Sequence, residues 1–160
     1  MTRNVKRLTR MTMAAAVYVV LTVAISPLSY GSVQFRISEI LVLLCVYHKD
    51  YAVSMTVGCL IANFFSPLGI WDIGFGTLAT LIAVVGIVLC RKNIWIASLF
   101  PVLANGLIVG AELTILFQEL PFWLNFLSVA FGEFVVVTVL GCPIFRLLEK
   151  NESFMRAIGA

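Results

Sequence analysis

The stretch Gly31-Ser-Val-Gln-Phe-Arg-Ile-Ser-Glu39 sets an amide (Gln34), a guanidinium (Arg36) and a carboxylate (Glu39) directly before the apolar run 40–46. How it is read decides the fold. The 160-residue chain is 61% apolar and 12% charged, with a mean hydropathy of +1.05. Soluble domains run at about 45–50% apolar and about 25% charged. The stretch is therefore a polar break between two membrane segments, and the chain is a single polytopic domain over residues 1–160 with no room for a soluble catalytic domain. In such surroundings an ionisable side chain points by default to function, because a central charge costs about 2.5–3.5 kcal/mol. The spacing admits a second reading: Arg36 and Glu39 lie three apart, share a helix face, and can neutralise each other as a structural pair.

Working outward, six apolar runs are separated by polar or Pro/Gly breaks: 11–28, 37–47, 51–65, 75–90, 94–117 and 122–148. The second and third are short for a hydrocarbon core of about 30 Å. The basic start (Arg3, Lys6, Arg7, Arg10) before the first run resembles a signal peptide, but no small-residue cleavage site follows, so the first helix is expected to be retained. With the N-terminus in the cytoplasm, ten of the eleven Lys and Arg residues face inward and only Arg36 faces outward. This positive-inside bias predicts an all-α integral membrane protein of six transmembrane helices, with both termini cytoplasmic. The basic residues thus serve topology, not a nucleic-acid surface. Four scattered cysteines without CxxC spacing or histidine neighbours give no metal or redox motif.

The acids sort differently. Asp50, Glu149 and Glu152 lie at inner ends, whereas Glu39, Asp72, Glu112, Glu119 and Glu133 fall in the outer half or its connections. Polar groups at one depth, drawn from several helices, predict a pocket open to the outside rather than a pore. Asn105 and Glu112, seven residues apart, lie within about 20° of one helix face. Gly106/Gly110, Gly58/Ala62 and Gly76/Thr80 are small-residue seams for close helix packing. Asn63, beside one seam, serves either the pocket or a neighbouring backbone. The segment Ser66-Pro-Leu-Gly-Ile-Trp-Asp72 reads as a tight outer connection with turn chemistry from Pro67 and Gly69, Asp72 capping the turn. Trp71, Trp123 and Phe122 fit the interfacial aromatic belt. His48, at an inner turn, reads as a solvated turn residue.

Together with Ala62-Asn-Phe-Phe-Ser-Pro-Leu-Gly-Ile-Trp-Asp72 and Gly74-Phe-Gly-Thr-Leu-Ala-Thr80, the opening stretch resembles the QueT family over nearly the whole chain. These are queuosine-precursor substrate-binding (S) components of energy-coupling factor (ECF) transporters. The resemblance implies an S-component-like bundle in the bacterial cytoplasmic membrane. It also implies a pocket closed by the connections between the first and second, and the third and fourth, helices. Transport would depend on partners: a transmembrane coupling protein and two cytoplasmic ATPases. The chain itself has no GxxxxGK[ST] phosphate loop. S components dock the coupling protein through an AxxxA-like pair on the first helix; here only Thr12/Ala16 keeps a small-xxx-small spacing.

The ligand chemistry so implied suits the residues. A 7-deazaguanine offers a donor pair along N1–H and the 2-amino group, which a carboxylate accepts at two points, and its carbonyl wants an amide or guanidinium donor. The aminomethyl form adds a positive charge that a second carboxylate stabilises. The expected ligand-binding set is Gln34, Arg36, Glu39, Asn63, Trp71, Asn105, Glu112 and Glu133, with Glu112 and Glu133 foremost and Phe35, Phe75 and Phe126 offering further apolar walls. No cofactor is expected. Four rivals remain: a small proton-coupled transporter using an intramembrane glutamate, an S component for another vitamin, a purely structural membrane subunit, and an intramembrane enzyme. The last lacks a nucleophile–base or metal set.

Overall fold

A computed structural model describes residues 3–25 and 35–159 of the chain. It is all-helical, with no strand among the described residues. The helices are α1 (Arg3–Ala24), α2 (Ile37–Tyr47), α3 (Tyr51–Asn63), α4 (Ile70–Leu89), α5 (Ile94–Phe117), α6 (Phe122–Leu148) and α7 (Glu152–Ile158). Four of them, α1, α4, α5 and α6, are long and apolar enough to cross a membrane; α2 and α3 are shorter.

The short second helix is drawn out. Its first part, Ile37–Leu43, is a 3-10 helix and only Leu44–Tyr47 is α-helical. At about 2.0 Å per residue instead of 1.5 Å, those seven residues reach about 14 Å rather than about 10.5 Å. Opposite it, the middle of α6 is underwound: Phe134–Gly141 is a π-helix, and the N–H of Cys142 bonds back to the carbonyl of Val137. Pro143 follows at once and has no N–H for the Val139 carbonyl, which explains why the regular ladder gives way there. Pro101 does the same in α5, where the helix is interrupted at Ser98.

Small residues let the helices approach. α1 packs on α3, α3 on α4, α4 on α5, and α5 on α6, while α2 lies between α1 and the π-helical stretch. A Cβ at Gly58 would stand 3.2 Å from the Ala15 carbonyl and the Tyr18 Cβ; one at Gly110 would stand 3.0 Å from Phe126 backbone. The seams expected from sequence are thus contacts in the bundle. A main apolar core runs through Tyr18, Leu43, Met55, Ile87, Val137 and Phe145, and a smaller one joins Ala79, Val109, Leu113 and Val129.

Several bonds gather the inner ends. Arg7 pairs with Asp50, the Tyr51 hydroxyl donates to the Ile158 carbonyl (3.0 Å), and the Cys142 thiol lies 3.7 Å from the Ile94 carbonyl. The start of α1, the α2–α3 turn and α7 therefore share one end of the bundle. One expected boundary is corrected: α4 begins at Ile70, not at residue 75. The connection is two successive turns over residues 63–69, ending at Gly69 with φ +60°, a conformation that glycine adopts without strain. Trp71 and Asp72 consequently lie in the first turn of α4.

Candidate ligand-binding site

The polar residues at the other end of the bundle divide into a stitched set and an open set. The stitched set centres on Asp72, completely buried in the first turn of α4, where a carboxylate also complements the helix dipole. Arg36 Nη2 lies 3.3 Å from its Oδ2 and 3.4 Å from its Oδ1. Ser66 donates its hydroxyl to Oδ2, and the same oxygen of Ser66 accepts the Leu68 N–H at 3.1 Å. Asn63 Nδ2 donates to the Asp72 carbonyl at 2.8 Å. Gly76 leaves room for this assembly, since a Cβ there would meet Asn63 Nδ2 at 2.8 Å and Asp72 Oδ1 at 3.1 Å.

This revises the expected Arg36–Glu39 pair. The ion pair of Arg36 runs across the bundle to Asp72, and Asp72 is an ion-pair partner rather than a turn cap. Glu39 instead accepts a hydrogen bond from the Tyr18 hydroxyl of α1. Next to it, Thr22 donates to Ser38 at 2.6 Å. Arg36 stands just before the 3-10 winding of α2, with non-helical backbone (φ −79°, ψ 87°), so it does not share a helix face with Glu39 and the two reach different partners.

The open set comprises Asn105, Glu112 and Glu133. All are buried, at 2%, 0% and 2% exposure. Among the described residues, neither oxygen of Glu112 has a hydrogen-bond partner, nor has either amide atom of Asn105, nor Oε2 of Glu133. Asn105 lies beside the Glu133 carboxyl without making a bond of normal geometry. Buried polar atoms are paired in the great majority of cases, and each exception asks for an explanation such as a missing ligand. Glu112 lies within electrostatic reach of Asp72 and Arg36, and Glu133 within reach of Glu39 and Arg36. Arg36 is thus a single guanidinium within electrostatic reach of four acids, Glu39, Asp72, Glu112 and Glu133. Such a site favours a cation or a molecule rich in hydrogen-bond donors.

Of the other expected residues, Asn63 joins the stitched set, although its Oδ1 is unpartnered. Trp71 does not turn inward: it is 42% exposed and stacks on Phe75 with centroids 5.9 Å apart. Gln34 lies outside the described residues. Phe35 meets Phe131 edge to face at 6.5 Å, and Phe126 sits among Phe122 and Trp123. Thr12 and Ala16 line a groove of about 500 Å³ between α1 and α3, with Val53, Ser54 and Val57 opposite. Among the described residues no group of three or more His, Cys, Asp or Glu is arranged to hold a metal ion. Tyr18 and Ser66 were not expected at the site. For Tyr18 a signal existed: a tyrosine in an apolar helix usually needs a partner for its hydroxyl.

A bundle of apolar helices, four of them long enough to cross a membrane, encloses acids and an amide with polar atoms that are unpartnered among the described residues, an arrangement that fits a small-molecule membrane transport protein. A sequence profile of the QueT transporter family matches residues 8–150, and the chain belongs to that family: it is a multi-pass transporter, not an enzyme. It is 32% identical over 156 residues, covering 89% of this chain and 91% of the relative, to the queuosine precursor transporter QueT of Lactococcus lactis subsp. cremoris (strain MG1363). No solved structure matches the chain.

Proposed function

We propose that this protein is the substrate-binding S component of an ECF-type importer. It takes a 7-deazaguanine queuosine precursor, the aminomethyl form foremost, into an outward-facing pocket and delivers it inward when coupled to an ATP-driven module. The observation that carries the reading is the open set, buried together: both oxygens of Glu112, both amide atoms of Asn105 and Oε2 of Glu133 have no hydrogen-bond partner among the described residues. A donor-rich, cationic heterocycle supplies the missing partners. Along α5, Asn105 and Glu112 are about 10 Å apart, a fitting span for a bicyclic ring with a one-carbon arm, and Arg36 lies within electrostatic reach of Glu112 and Glu133.

In this reading α1–α6 all cross the membrane, with both termini cytoplasmic. The sharing of one end by the start of α1, the basic α2–α3 turn and α7 accords with an even number of crossings, and the positive-inside bias assigns that end to the cytoplasm. The α1–α3 groove lined by Thr12 and Ala16 is where the transmembrane coupling protein would dock, bringing two cytoplasmic ATPases with it.

The test is direct binding to detergent-solubilised protein. We expect 7-aminomethyl-7-deazaguanine to bind more tightly than its cyano analogue, queuine or guanine, with thiamine as a negative control. Tighter binding of the cyano form or of queuine would overturn the assignment of the aminomethyl form. Failure of folded protein to bind any deazaguanine would overturn the substrate class.

A further inference from the structure

The buried acids differ in what they have left to give. Asp72 is taken by Arg36 and Ser66, and Glu39 has one oxygen engaged by Tyr18 and one unpartnered. Glu133 contributes one buried unpartnered oxygen, Oε2. Among the described residues, Glu112 is the one acid whose two oxygens are both buried and both without a partner. It sits on α5, which packs against both α4 and α6, and is fully excluded from solvent.

A ligand edge with two adjacent N–H donors needs two acceptors in one plane, at the spacing of a carboxylate. We propose that Glu112 is the specificity-determining residue of the pocket: it reads the paired donors of a 2-amino-4-oxo ring edge, while Asn105 and Glu133 hold the opposite pole of the ligand. This rests on the deazaguanine reading above. Using Glu112 shares no oxygen with an existing hydrogen bond, whereas Glu39 already gives one oxygen to Tyr18 and Asp72 gives both to Arg36 and Ser66. A buried polar site built for one donor pattern rejects a ring that lacks it, because its own groups are then left unpaired.

The complementarity can be inverted. Glutamine in place of Glu112 keeps one acceptor and replaces the other with an N–H donor. It therefore matches a 2-oxo edge, in which N1–H is a donor and O2 an acceptor. The experiment measures the affinities of 7-aminomethyl-7-deazaguanine and its 2-oxo counterpart for wild type, Glu112→Gln and Glu133→Gln, each verified as folded by its thermal melt. Wild type should favour the 2-amino ring by roughly 10–100-fold, the discrimination typical of a good bidentate pair. Glu112→Gln should reverse the order, and Glu133→Gln should weaken both rings by a similar factor with the ratio kept. An equal loss for both rings in Glu112→Gln overturns the proposal, as does a reversal that appears in Glu133→Gln instead. Should the amide variant not fold, Glu112→Ala with the ring lacking the 2-amino group tests the same contact. The penalty for deleting that group must then shrink relative to wild type, and an undiminished penalty overturns the assignment. Absence of deazaguanine binding to wild type would be a failure of the transport reading itself, seen before any variant is made.

Discussion

Asp72 and Glu112 stand on adjacent helices, are both completely buried, and both feel the charge of Arg36. Asp72 is saturated, with a guanidinium and a hydroxyl on its carboxylate and an amide on its own carbonyl. Glu112 has no partner on either oxygen. Two equally buried acids thus have opposite structural meanings. A satisfied acid contributes to the fold because its desolvation is offset by bonds already made. An unsatisfied one costs stability in the free protein and, in the ligand-binding role proposed for it, has both acceptors to offer.

The sharpest way to break the comparison is to remove the satisfied member. Asp72→Ala deletes one half of a buried ion pair together with the acceptor of Ser66, and breaking such a pair costs about 3–5 kcal/mol. The variant should melt far below wild type in detergent, losing ligand binding as a consequence of unfolding. If it instead melted like wild type and lost only affinity, Asp72 would belong with the ligand groups and the contrast would dissolve.

Removing the unsatisfied member should have the opposite signature. Glu112→Gln exchanges an unpartnered buried acid for a neutral isostere, so its melting temperature should equal or exceed that of wild type. Its affinity for the 2-amino ring should fall roughly 10–100-fold, in line with a lost bidentate contact. Stability and binding measured on one preparation separate the two acids cleanly.

A subtler probe leaves every charge in place. Gly76→Ala would put a Cβ 2.8 Å from Asn63 Nδ2 and 3.1 Å from Asp72 Oδ1, so the stitched set must shift as a unit. Overpacking of this kind costs about 1–3 kcal/mol. Because Arg36 bridges the two sets, ligand dissociation should also accelerate, a change readable by ligand washout. An unchanged melt would mean that the Asp72 assembly is looser than its hydrogen bonds imply.

Much of this architecture is legible in the sequence, and what is not has a physical cause. The runs ending at Tyr47, Phe117 and Leu148 carry enough hydropathy to fix helices α2, α5 and α6 at their observed bounds. Asn105 and Glu112 are found together because a seven-residue spacing on a regular helix preserves a face, and α5 is regular between them. Spacing fails where winding changes. The i, i+3 logic pairs Arg36 with Glu39 only if one helix holds both, but the winding begins at Ile37 and Arg36 precedes it with ψ 87°, so each side chain reaches another element. Asp72 was mistaken for a turn residue because a pattern of Pro67 and Gly69 marks a turn without saying where the next helix starts. The Tyr18–Glu39 and Arg36–Asp72 contacts join segments distant in the chain, and local periodicity carries no information about which helix faces which.

The smallest effect is expected at the opposite end, where the Arg7–Asp50 pair offers a control for the buried ones. Arg7 Nη2 donates to Asp50 Oδ1 at 2.6 Å, and the hydrogen bonds from Arg7 hold the Asp50 carboxyl below its usual range, aided by the charges of Arg7, His48 and Lys49. Here Arg7 is 56% exposed, so solvent screens the pair and it should be worth only about 0.2–1 kcal/mol. A depressed folded-state pKa means the stabilisation is complete above the unfolded carboxylate value of about 3.9 and disappears as pH falls through the lower folded value. The stability gap between wild type and Asp50→Asn should therefore be small and constant near neutrality and close below about pH 4. It should also shrink as salt is raised. A gap as large as that of Asp72→Ala, or one indifferent to salt, would show that this end is as dry as the ligand end. The division of the bundle into a screened, solvated end and a sealed, ligand-seeking one would then fail.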